Sequence, residues 1–205
     1  MPPDSPIALI TGYEPFDGYS MNPSSKIAKE LDGGRIGRYI VKGVELPLDY
    51  DFVPDRIRSL VTSAKPELIL CMGQANRAAI SLERLAKNVV NTKREDNYGN
   101  KPTSDVIDPD APGAYFSNLP LNRLVSLLRE HGIPAYISYD AGAYGCNLVL
   151  FHVLQMFHNG LHESKAGFIH IPCTPRQAIE KDKMSLPTMP FDMSLRAVKL
   201  VLEHV

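Results

Sequence analysis

Apolar positions along the chain alternate between two periods. Short runs rich in β-branched residues, "IALIT" (7–11), "YIVKGVEL" (39–46), "ELILCMG" (67–73), "PAYIS" (134–138) and "AGFIHIP" (166–172), predict strands. Longer segments repeat at helical spacing. "NPSSKIAKELDGG" predicts a helix with Asn22 as N-cap, Pro23 in the first turn and Gly33 as stop. "DRIRSLVTSA" sets Ile57, Leu60 and Val61 on one helical face. "LPLNRLVSLLREHG" and "CNLVLFHVLQMFHNG" predict two further helices ending near Gly132 and Gly160, and a last one spans Asp192 to His204. Residues 77–99 are less regular, and 97–112 read as loop. Strand–helix alternation predicts an α/β domain with a mostly parallel sheet and helices on both faces. Sites in such sheets form beyond the carboxyl ends of strands. Gly12, Gly73, the 139–145 turn and Ile171-Pro172 all follow predicted strands.

Composition narrows the partners. A chain of 205 residues suits one domain, and 44% hydrophobic with 22% charged residues is ordinary for a globular protein. The formal net charge of −1 argues against nucleic acid as the main partner. No apolar run approaches a membrane span, and the start "MPPDSPIALIT" lacks the pattern of a signal peptide. Three cysteines with no CxxC pair argue against a disulfide framework or structural zinc and favour the reducing cytoplasm. No GxGxxG or Walker pattern is present, so no nucleotide cofactor is expected.

The chemistry centres on one thiol. Cys146 follows the turn "DAGAYG" at the start of a predicted helix, where free N–H groups lower a thiol's pKa and can hold an oxyanion. A cysteine there also serves as a small apolar residue opening a buried helix. A nucleophilic thiol needs a base. Among six histidines, His131 and His204 lie at helix ends, His152 lies within the helix after Cys146, and His158 and His162 straddle a turn. His170 is near the carboxyl end of "AGFIHIP", expected on the same sheet edge as the Cys146 turn. Glu83, in "AAISLERLAKN", is a carboxylate in apolar company; a salt bridge with Arg84 or Lys87 explains it equally well, and pattern alone leaves it one of several choices. Cys71 and Cys173 read as packing residues.

With "LITGYEPFDGYSMNPSSKIAKEL", "ISLERLAKN", "EDNYGNKP", "YISYDAGAYGCN" and "AGFIHIPCTPRQA" in this order, the chain resembles the pyroglutamyl peptidase I family of cysteine exopeptidases over nearly its whole length. The resemblance implies a three-layer α/β/α sandwich, a Cys146–His170–Glu83 triad, no cofactor or metal, cytoplasmic residence and a homotetramer. It implies removal of N-terminal 5-oxoproline from peptides, with Tyr13 and Phe16 flanking the lactam and Asn22, Gln74 and Tyr144 nearby. The family's pocket arginine falls on Lys93, or on Arg94 after a one-residue shift. The chain departs from the family pattern at Tyr13 (usually Phe), Asp17 (usually Gly) and Gly145 (usually apolar). The segment from Gly73 to Glu83 is one residue short. Two alternatives stand beside this reading: a thiol amidohydrolase with another amide specificity, and an idle scaffold of the same fold.

Overall fold

The computed structural model describes residues 5–91, 93–161 and 163–205, so His162 lies outside the described residues. The first half runs β1 (Ile7–Tyr13), α1 (Pro23–Leu31), β2 (Arg35–Ile36), β3 (Tyr39–Leu46), α2 (Phe52–Ala64), β4 (Leu68–Ala75), β5 (Ile80–Glu83) and β6 (Leu85–Lys87). The second runs β7 (Ala114–Phe116), α3 (Leu121–Glu130), β8 (Ala135–Ser138), α4 (Gly145–His158), β9 (Lys165–Pro172), α5 (Pro175–Glu180) and α6 (Phe191–His204). Seven strands form one sheet in the order β2-β3-β1-β4-β9-β5-β8, and β6 pairs with β7 separately.

The expected α/β/α layering holds. One face carries Ile27 and Leu31 of α1, Leu124 and Leu128 of α3, and Val198 and Val201 of α6. The other carries Ile57 and Val61 of α2 and Val149, Leu150 and Leu154 of α4. The Leu150, Val153 and Leu154 side chains of α4 are wholly buried, each worth roughly 1.5–3 kcal/mol. Packing therefore fixes α4, and Tyr144 at its N-cap contributes no side-chain cap. Asn22 caps α1 as the sequence predicts, accepting from Ser24 N–H at 3.0 Å. Among the described residues no helix is long and apolar enough to cross a membrane.

Three sequence expectations change. First, β1 and β4 do not stop at Gly12 and Gly73 but run through them. Both glycines mark close approach. A Cβ on Gly12 would lie 2.2 Å from the Ser24 carbonyl carbon, so glycine lets α1 dock on the strand. Second, β5 occupies the stretch that reads as irregular, and it enters the sheet antiparallel to β9. Third, β8 pairs parallel with β5 and so runs opposite to β9. The carboxyl ends of β8 and β9 therefore point in opposite directions, so β8 does not itself deliver the turn before Cys146 to His170, although the turn lines the same cavity. Residues 139–144 instead carry the chain back across the sheet, held by the Asn91 N–H to Ala143 O bond (2.7 Å) and the Arg77 guanidinium on Asp140 O (2.8 Å).

Candidate active site

The strand register gathers the site. His170 on β9 is paired with Gly73 on β4 and with Ser81 on β5. Glu83, two residues beyond Ser81, projects from the same face of β5 by strand alternation. Its Oε1 accepts the His170 Nδ1–H at 2.7 Å. Glu83 is completely buried and His170 only 4% exposed. With Nδ1 donating to a carboxylate, Nε2 is left as the acceptor nitrogen.

Cys146 reaches this row from above the sheet. A Cβ on Gly73 would sit 2.5 Å from Cys146 Sγ and 3.0 Å from Phe168 Cζ. Only glycine leaves room for the sulfur over β4, next to the strand position of His170. The first turn of α4 is pinned on both sides of the thiol. Asn147 is wholly buried, accepts the Lys87 N–H and donates to the Lys87 and Val89 carbonyls. Tyr144 donates its hydroxyl to Glu95 O at 2.8 Å.

Arg77 completes the row. Its Nη1 donates to Glu83 Oε1 at 2.7 Å and also to the Ser81 hydroxyl, and its Nη2 to Asp140 O. The salt-bridge partner of Glu83 is thus Arg77, not Arg84 or Lys87; Lys87 pairs with Asp140. The sequence signal for Arg77 is a cation six positions before a carboxylate in an apolar stretch.

Burial and charge set the protonation states. Burial pushes Glu83 upward, but the His170 bond and the nearby cations outweigh it and hold the carboxyl below its ordinary range. Burial pulls His170 below its ordinary value, opposed by the Glu83 bond. Burial pushes Cys146 up to about 12, with the Glu83 charge adding to it and Arg77 and Arg94 opposing. The expected lowering of the thiol's pKa by the helix terminus is therefore outweighed by desolvation. At neutral pH the resting pair is a neutral thiol and a neutral imidazole beside a carboxylate.

A cavity of about 540 Å³ opens on Cys146 and His170, bordered by Phe16, Gln74, Ala141, Gly142 and Tyr144. Phe16 and Tyr144 meet edge to face, ring centroids 6.5 Å apart. Gln74 donates to Cys173 Sγ and accepts from Gln177 Nε2. At the mouth Arg94 lies 3.8 Å over the Tyr144 ring and pairs with Asp17 at 2.8 Å. A larger groove of about 810 Å³, bordered by Arg38, Arg58, Met156 and Leu161, lies at the opposite sheet edge, remote from all these groups.

Three residues expected around the substrate stand elsewhere. Tyr13 is 1% exposed and lies behind the cavity wall, its hydroxyl on Gly145 O. Asn22 is 1% exposed and occupied with Ser24 and the Glu14 carbonyl. Lys93 is exposed on a turn outside the cavity, whereas Arg94 borders it, as do Arg77, Lys181 and Lys183.

A thiol, an imidazole and a carboxylate in this order, at the floor of a cleft in an α/β sandwich, form the set a cysteine hydrolase requires. Residues 7–205 match the family model described as "Pyroglutamyl peptidase". The pyrrolidone-carboxylate peptidase of Pyrococcus furiosus is 40% identical over 200 residues, covering 95% of each chain. That of Bacillus subtilis is 35% identical, covering 94% of this chain and 88% of its own. The pyrrolidone carboxyl peptidase structure from Thermococcus litoralis superposes with a TM-score of 0.92 at 37% identity, covering 97% of this chain and 92% of that one. The chain belongs to the pyroglutamyl peptidase family.

Proposed function

We propose that the protein hydrolyses the amide bond after an N-terminal pyroglutamate, through a thioester on Cys146. The observation that carries this reading is the seating of Cys146 Sγ against Gly73, the strand neighbour of a His170 already bonded to Glu83. Substrate docking brings the scissile carbonyl over Sγ. His170 Nε2 takes the thiol proton as the sulfur–carbon bond forms, and the carbonyl electron pair moves onto oxygen. Collapse expels the amine, which receives the proton from His170, and water then hydrolyses the thioester by the same base. Glu83 keeps the imidazole in the Nδ1–H tautomer and stabilises its cation. The lactam is flat and uncharged, suited to a cavity bordered by the Phe16 and Tyr144 rings with Gln74 beside it.

The test is release of fluorophore from pyroglutamyl-aminomethylcoumarin, with Cys146→Ser as control. Turnover in the parent and a loss of at least about 10³-fold in the variant are expected. No turnover in folded protein whose Cys146 alkylates normally would sink the reading. The Asp17–Arg94 pair at the mouth favours a second reading, the same thiol chemistry on an amide carrying charge; a panel of N-terminally varied amides separates the two. The reading includes cytoplasmic residence, which three unpaired cysteines suit, and a homotetramer, checked by light scattering.

A further inference from the structure

Tyr13 ends β1 and is sealed from the cavity, yet its hydroxyl is not idle. It donates to Gly145 O at 2.6 Å, across 132 residues of sequence. Gly145 is the residue before the nucleophile and the first of α4. The two positions are matched in size. A Cβ on Gly145 would come within 3.3 Å of both Tyr13 Cζ and Tyr13 Oη and 2.4 Å from Leu48 Cδ1, so the phenol occupies space that a side chain at 145 would need.

The peptide group between Gly145 and Cys146 has two ends. Its carbonyl oxygen holds the Tyr13 hydroxyl. Its N–H belongs to Cys146 and lies in the first turn of α4, where N–H groups have no intrahelical acceptor. The amide is planar, so fixing the oxygen fixes the direction of the N–H. A hydrogen bond to the oxygen also polarises the group and strengthens the N–H as a donor. Burial raises the Tyr13 pKa well above its ordinary value, so the phenol stays a donor throughout the working pH range. Its proton is not transferred at any stage.

We propose that Tyr13 is a positioning residue for this reaction: by holding Gly145 O, it aims and strengthens the Cys146 N–H toward the oxyanion formed when Sγ attacks the scissile carbonyl. The role rests on the reading of Cys146 as nucleophile. It differs from the lactam contact expected of Tyr13 from the sequence.

The test compares two reactions of one thiol. Amide hydrolysis builds an oxyanion, whereas alkylation by iodoacetamide displaces iodide at carbon and builds none. Tyr13→Phe removes the hydroxyl alone. Its kcat is expected to fall about 10- to 100-fold, less than the roughly 10²–10³-fold for losing a whole oxyanion donor, with KM within about threefold and the alkylation rate within about twofold. Unchanged kcat overturns the proposal. So does an equal fall in hydrolysis and alkylation, which marks a displaced thiol. Tyr13→Phe/Gly145→Ala puts a methyl group beside the vacated hydroxyl without the bond, where Leu48 Cδ1, 2.4 Å from that position, must also yield. Hydrolysis should stay low there even if stability recovers; recovery of kcat with stability overturns the proposal. Failure of the nucleophile reading looks different, because the parent protein itself would then show no Cys146-dependent turnover.

Discussion

Arg77 and His170 meet on one oxygen, each donating to Glu83 Oε1 at 2.7 Å. The carboxylate therefore has two cationic or potentially cationic partners, and Arg77 hydrogen-bonds Glu83, Ser81 and Asp140 O while acting on His170 by its charge. Arg77 lowers the pKa of His170 by its charge. Protonated His170 cannot accept the thiol proton, so kcat/KM should fall as pH drops through a value below the ordinary 6.5. Arg77→Gln removes that positive charge and should move this acid limb upward, which a pH profile of kcat/KM measures. An unmoved limb would show that Arg77 does not act on the base.

Glu83→Gln keeps the shape and loses the charge. The imidazole then lacks its anionic partner, and Arg77 loses its counter-ion beside a buried amide. Activity should fall by roughly 10²–10⁴-fold, as expected for loss of tautomer control. Stability should fall by about 3 kcal/mol, as when a buried pair loses one member. Assay and urea melts of the same preparation check both.

Gly73→Ala tests the seat of the nucleophile. A methyl group 2.5 Å from Sγ cannot be accommodated without moving α4 or the thiol. The cost in stability should be about 1–3 kcal/mol. Turnover and iodoacetamide labelling of Cys146 should fall together. This pattern is the reverse of that expected for Tyr13→Phe.

Arg94→Ala opens the cavity mouth. Its pair with Asp17 is exposed and contributes at most about 1 kcal/mol, and its stacking on Tyr144 is worth about as much. KM should rise about three- to tenfold with kcat within twofold, and stability should hardly change. A collapse of kcat instead would place Arg94 at the reacting atoms.

Cys71 supplies a pH signature in folding rather than catalysis. It is fully buried, and burial raises its pKa from 9.0 to about 12. In unfolded chains the thiol ionises near 9 while the native one stays neutral. The native state should therefore lose about 1.4 kcal/mol per pH unit from this group between pH 9 and 12. Urea midpoints across that window should fall less steeply for Cys71→Ala.

The helices and the four long parallel strands are legible in the sequence because their periods are clean and their caps carry specific residues, Asn22 above all. Strand direction is not. "PAYIS" reads as a strand whichever way it runs, and its reversal comes from pairing with β5, a four-residue strand inside the stretch that reads as irregular. Gly12 and Gly73 read as stops because a glycine in sequence looks alike whether it turns the chain or admits a neighbour. Local pattern points to Cys146 and His170, and the two do border one cavity, although β8 runs opposite to the direction that the pattern implies. Glu83 needed the family resemblance, since burial and the Arg77 bond are tertiary facts. Tyr13 was legible as a departure, but what its hydroxyl holds was not.

The insertion of β9 between β4 and β5 also fixes when the protein can work. Glu83 and His170 are 87 residues apart in sequence and touch only once β9 has found both neighbours. Such distant pairing carries a large loop-closure cost and forms slowly. During refolding the helices should regain their circular dichroism first, and turnover should return only in the last kinetic phase. Activity in this chain is thus a reporter of its latest folding event.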